Sequence, residues 1–188
     1  MNEVQIKRIR LLGLLPLSLF LLRFVEYALI LKTPVHILWS CHISNFILAI
    51  GLFFANPSLV RVSSYLLIMG VFPWLIDMFA VGEVNFMSII THLAAAILAV
   101  SILRFVGIVK GDWRYAMLFF IVLQQITKFI TDSDPSMNIN LAHYAYGSLR
   151  DKFGSYIEYW LCATSITGFL VWSVERLGLT LLHSRAEK

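Results

Sequence analysis

Charge is scarce in this chain, with Asp, Glu, Lys and Arg making up only 14% of its 188 residues. Cysteine is scarcer still, at two residues, Cys41 and Cys162. Two thiols cannot build a disulfide framework, which excludes a small cross-linked secreted fold. Glycine-rich phosphate loops and metalloprotease signatures are missing too, and no internal repeat is evident. The formal charge of +4 is scattered over loop ends and gathers into no basic stripe. Nucleic acid is therefore not an expected partner.

What fills the chain is apolar. Hydrophobic residues make up 59%, and the mean hydropathy is +0.79. A soluble domain of this size could not hide that much apolar surface. The sequence predicts an all-α, polytopic membrane protein with room for about six spans of roughly 20 residues and no separate soluble domain. The expected helices of this single domain, residues 1–188, are approximately 11–31, 35–55, 59–80, 86–106, 113–131 and 155–176. Breakers separate them at Thr33-Pro34, Asn56-Pro57-Ser58, Gly82-Glu83, Gly107 to Gly111, and along the polar run Asp132 to Gly154. Thr33 before Pro34 reads as an N-cap with proline at the first helical position. Lys7-Arg8-Ile9-Arg10 before Leu11 to Leu22 imitates a secretory signal. No small-x-small cleavage site follows, so an uncleaved first span is expected.

With the N-terminus inside, ten basic residues (Lys7, Arg8, Arg10, Arg61, Arg104, Lys110, Arg114, Arg176, Arg185 and Lys188) fall on the inner side. Four (Lys32, Lys128, Arg150 and Lys152) fall outside. The positive-inside rule then places both termini in the cytoplasm. The expected location is the bacterial cytoplasmic membrane.

This topology assigns each polar residue of a span a depth. Cys41 and His92 each lie seven residues beyond the outer start of their helices, at Pro34 and Asn85, or roughly 10 Å at 1.5 Å per residue. Arg23 and Glu26 share a face at i,i+3 and read as an ion pair shaping a cavity. Asp77, Gln124, Gln125, Lys128, Glu158 and Cys162 also fall in the outer half, while the inner half reads as almost purely apolar. Convergence on one side predicts a polar pocket open outward.

A cysteine in a dry site stays protonated unless a base activates it. A helix N-terminus favours a thiolate only within its first turn, and a helix beginning at residue 35 would put Cys41 beyond it. His92 at matched depth is the expected base. His42 is expected to be structural, because neighbours on a helix point about 100° apart. Ser44 and Asn45 share the Cys41 face, and Asn45 is a candidate donor to an oxyanion. Asp77 or Glu158 would orient His92. A pocket near the edge of the ~30 Å hydrocarbon slab suits a lipid ester. Scarce water there would favour acyl transfer over hydrolysis.

The stretch His36-Ile37-Leu38-Trp39-Ser40-Cys41-His42-Ile43-Ser44, followed about fifty residues later by Ile90-Thr91-His92, resembles the YwaF and transmembrane protein 164 family. Asp151-Lys152-Phe153-Gly154 followed by Tyr159-Trp160 is a weaker match, and the likeness spans residues 35–165. The resemblance implies a six-helix membrane acyltransferase with Cys41 as nucleophile and His92 as base. It also implies kinship with the androgen-induced lipid hydrolases, where a threonine replaces the cysteine. That family's proline-tryptophan-tyrosine pattern in the last helix is not intact here.

Phospholipid or lysophospholipid is thus the expected partner, with no cofactor and no metal. A substrate-binding subunit of a small-molecule importer would fit the length and the outward pocket without needing a nucleophile. A ceramidase-type metal hydrolase would need histidines paired at i,i+4, and positions 36, 42, 92, 143 and 183 offer none. Plainer roles are also weighed. These are helix packing for Ala95 and Ala99, interfacial anchoring for Trp39, Trp74, Trp113 and Trp160, a Cys41–Cys162 disulfide, solvation for His143, and a lid for the loop 132–154.

Overall fold

The computed structural model describes residues 3–81, 86–131, 139–144 and 152–183. Every regular element among them is helical. In chain order these are α1 (Glu3–Leu12), α2 (Leu14–Val25), one π-helical turn (Glu26–Ile30), a 3-10 turn (Pro34–Leu38), α3 (Ser40–Phe53), α4 (Pro57–Val81), α5 (Phe86–Val106), α6 (Trp113–Ile130), a 3-10 turn (Ile139–Leu141) and α7 (Tyr156–His183).

Four stretches are long and apolar enough to cross a membrane: Ile6–Ile30, Pro57–Ile76, Phe86–Val106 and Tyr156–Leu181. The 14 residues of α3 span about 21 Å at 1.5 Å per residue, short of a ~30 Å slab. Helix α6 is interrupted chemically, with Arg114 at its start and Gln124, Gln125 and Lys128 near its end.

Helix α4 is the hub. One of its faces packs with α3 and α5, burying Leu48, Leu52, Val60, Leu67, Ala95, Ala99 and Ile102. Another packs with α5, α6 and α7 through Tyr65, Leu66, Met69, Leu103, Ala116, Phe120 and Val171. Ala95 and Ala99 lie in the first of these cores, as small residues four apart allow. Gly51 makes a similar approach, since a Cβ there would lie 3.0 Å from the Val60 backbone nitrogen. The outward faces carry Ile97, Phe105, Phe129, Ile166 and Phe169, all exposed. Apolar surface outside and polar groups inside is the arrangement a bilayer solvates.

The end of the bundle away from Cys41 is not purely apolar, which corrects one expectation. Asn56 Oδ1 caps α4 by accepting the N–H groups of Ser58 and Leu59 at 3.1 and 3.2 Å. Arg61, one turn further on, forms a buried ion pair with Asp112 at the start of α6. Glu175 of α7 is 1% exposed. Its carboxylate accepts the N–H groups of Gly111 and Trp113, each at 3.0 Å. Gly111 adopts φ 101°, a conformation open to glycine that frees its N–H for this contact. Arg61 and Glu175 read in the sequence as flanking or helical residues. Only the fold shows them locking α4, α6 and α7 together.

Candidate functional site

The expected helix 35–55 is broken, and the break sets the site. Pro34 opens a 3-10 turn that ends at Trp39, whose extended backbone (φ −52°, ψ 133°) resets the chain before Ser40. The groups freed by this break are claimed from 100 residues away. Asn140 Oδ1 accepts the Ser40 N–H at 2.7 Å, and Asn140 Nδ2 donates to the Leu38 carbonyl at 2.8 Å and to Thr127 Oγ1 at 3.2 Å. Asn140 sits at φ 56°, a left-handed conformation that asparagine tolerates. Cys41 consequently stands in the first turn of α3, not two turns into a longer helix. The partial positive charge of a helix N-terminus acts on it there.

Around the half-buried Cys41 thiol the nearest base is His42, whose Nδ1 lies 3.6 Å from Sγ. This corrects the expectation that His42 points away. The 100° between neighbouring Cβ directions does not stop a ring that extends well past Cβ from folding back. Asn45 Nδ2 donates to the Cys41 carbonyl at 2.9 Å. Across the helix interface is Gly70 of α4, whose missing side chain leaves space facing Cys41.

His92, on α5, joins the cluster through His42, with the two ring centroids 6.4 Å apart. Its Nδ1 is 2.9 Å from the Ser88 carbonyl, which can only accept. Nδ1 therefore carries the proton, and the neutral ring keeps a lone pair on Nε2. Trp74 of α4 stacks on the ring at 4.9 Å and 7°, while its Nε1 donates to Ser88 Oγ at 2.8 Å. A backbone carbonyl and an indole orient His92, where an acid was expected. Thr91 is a back-bonded helix residue, donating to the Met87 carbonyl at 2.9 Å.

Arg23 and Glu26 form the expected buried ion pair. The π-helical turn that follows Val25 carries Tyr27 into the same cluster, where its hydroxyl accepts from Arg23. The Tyr27 ring meets His36 and His42 at centroid distances of 5.3 and 5.6 Å. Six elements thus deliver Arg23, Glu26, Tyr27, His36, Cys41, His42, Asn45, Trp74 and His92 to one place.

No family model, curated protein or solved structure matches this chain. What the site can do follows from its own side chains. Among the described residues no three His, Cys, Asp or Glu side chains are grouped to hold a metal ion.

Other expected members stand elsewhere. Glu158 is exposed at the start of α7, where it accepts the Gly154 N–H at 2.9 Å. An acid in a first helical turn serves its own exposed amides, so Glu158 does not orient His92. The Asp77 side chain lies outside the described residues. Gln124 is one step removed, because its Nε2 holds the Asn140 and Leu141 carbonyls at 3.2 Å each while its Oε1 accepts from Trp160 Nε1 at 2.9 Å. Cys162 is exposed and Cys41 is free, so the two form no disulfide. His143 Nε2 is 2.8 Å from Thr131 Oγ1, and this partner replaces the expected solvation. Trp74 and Trp160 spend their indole N–H groups inside the bundle, which corrects their assignment as interfacial anchors.

Proposed function

We propose that this protein is an integral membrane lipid acyltransferase or lipid-ester hydrolase working through an acyl-thioester on Cys41. The observation that carries this is a half-buried thiol in the first turn of an apolar helix, 3.6 Å from the His42 Nδ1. Reactive and charged side chains at membrane depth are costly and are retained where chemistry needs them. In this reading α3, extended by the 3-10 turn before it, and α6 also cross the bilayer. The six crossings leave both termini in the cytoplasm, as the ten-to-four basic residues favour. The Cys41 end then faces outward from a bacterial cytoplasmic membrane, near the level of phospholipid ester carbonyls. Likeness to the YwaF and transmembrane protein 164 family points the same way.

Two imidazoles divide the proton work. His42, in contact with the sulfur, takes the thiol proton. The thiolate attacks the ester carbonyl, and the departing alcohol leaves with that proton. His92 offers Nε2 to the acyl acceptor, an alcohol such as a lysophospholipid or water, and removes its proton as it attacks the thioester. The carbon–sulfur bond breaks, and the expelled Cys41 thiolate takes up that proton, restoring thiol and neutral imidazole.

Purified protein incubated with acyl-labelled phospholipid is expected to acquire a hydroxylamine-labile adduct on Cys41, and Cys41→Ala to lose both adduct and turnover. Undiminished turnover in Cys41→Ala, or a folded protein that forms no adduct with any lipid class, would overturn the proposal. An importer subunit would go on capturing its ligand after that substitution.

A further inference from the structure

Two buried polar side chains of the Cys41 cluster have hydrogen-bond donor groups without partners. Arg23 is 5% exposed, with Nη1 on Glu26 and Nη2 on the Tyr27 hydroxyl, yet its Nε has no partner. Ser44, 0% exposed, has no partner for Oγ, not even the carbonyl one turn back that a helical serine usually takes. A buried polar group left unmade costs free energy and calls for a reason. Both donors belong to the Cys41 neighbourhood. Ser44 is three residues along α3 and so on the same face. Arg23 reaches that neighbourhood through Tyr27, whose hydroxyl takes Nη2 and whose ring lies 5.6 Å from that of His42, itself against the Cys41 sulfur. Two other nearby donors are occupied, Asn45 Nδ2 by the Cys41 carbonyl and the Ser40 N–H by Asn140.

We infer that Arg23 Nε–H and Ser44 Oγ–H are the oxyanion donors of the acyl-transfer step, receiving the carbonyl oxygen of a carboxylic ester. This rests on the function proposed above. As the sulfur–carbon bond forms, the carbonyl π pair moves onto oxygen, and the two donors hold that charge. When the pair returns, the carbon–oxygen bond to the alcohol breaks and the alcohol takes the proton from His42. The donors are left bonded to the thioester carbonyl. Asn45, the expected donor, instead ties its own helix turn. The other atoms of Arg23 explain why it is held so firmly. Glu26 and Tyr27 fix the guanidinium, its carbon lies 4.6 Å from the Tyr27 ring centroid, and the π-helical turn places all three. π-Helical turns recur where a side chain must be re-aimed for function.

The test compares Ser44→Ala and Arg23→Lys in a Cys162→Ser background, reading three quantities. These are the burst rate of Cys41 acylation by labelled phospholipid, the lipid Kd, and the rate of Cys41 alkylation by iodoacetamide, which develops no carbonyl oxyanion. Ser44→Ala is expected to slow acylation by about 10²–10³-fold, leaving alkylation and Kd unchanged. Arg23→Lys, which keeps the charge but has no Nε–H, should show the same pattern. Acylation at the parental rate in Ser44→Ala overturns the assignment. A parallel fall in alkylation also overturns it, because the serine would then be acting on the thiol. Should the lysine variant fail to fold, Ser44→Ala decides alone. Turnover that survives Cys41→Ala refutes the thioester route itself, whereas a Cys41-dependent enzyme indifferent to Ser44 refutes only the donors.

Discussion

At the scale of single residues, the two histidines are distinguishable by their surroundings. His42 is 2% exposed and touches the sulfur, whereas His92 is half-buried and its Nδ1 is committed to Ser88. Rapid-quench measurement of labelled protein separates their roles. His42→Gln is expected to slow thioester formation by about 10²–10⁴-fold. His92→Gln should form the thioester normally and then accumulate it, because the acceptor is no longer deprotonated. A slow burst in His92→Gln with a normal one in His42→Gln would reverse the assignment. Cys41, His92, Arg23 and Glu26 were legible in the sequence because ionisable or reactive residues stand out against an apolar background. Trp74 and Ser88 were not, since a tryptophan and a serine in a span have commoner explanations. No acid was needed to orient His92, and no periodicity in the chain could have announced that a main-chain carbonyl does it.

At the scale of elements, hydrophobic periodicity located α5 to the residue and the ends of α4 and α6 to within two residues, because their breakers are local. It failed at α3. The interruption at Trp39 is stabilised by Asn140, and a bond spanning 100 positions leaves no mark on a local window. The same bond yields a prediction. Asn140→Gly keeps the left-handed backbone available while removing all three side-chain contacts, so it isolates them from the turn. Loss of a helix cap costs about 0.5–2 kcal/mol. The first turn of α3 should loosen, seen as faster amide exchange at Ser40 and Cys41 and a several-fold slower acylation burst, with α7 unchanged. Unaltered exchange at those amides would show that Ser40 does not depend on Asn140.

At the scale of the whole molecule, two polar assemblies sit at opposite ends of an apolar shell. The sequence showed only the one near Cys41, because Arg61 was already explained as a topological charge and Asp112 and Glu175 fall at helix margins. The far assembly is structural by geometry: Arg61 pairs with Asp112, and Glu175 closes the N-terminus of α6. Removing one partner of a buried ion pair strands the other. Arg61→Ala should therefore cost about 3–5 kcal/mol, read as a lowered unfolding midpoint in detergent, while the acylation burst per folded molecule stays at the parental value. A burst that falls while the midpoint holds would mean that the far end communicates with the thiol.

The contact between Ser40 and Asn140 also orders events in time. A ribosome delivers the chain from its N-terminus, so α2, α3, α4 and α5 can enter the bilayer before residue 140 has been made. Through that interval the start of α3 lacks its side-chain cap, and the sulfur lacks its finished setting. Under the proposed thioester route, the nucleophile is therefore completed only after translation has passed α6, and competence for chemistry is acquired late in biogenesis.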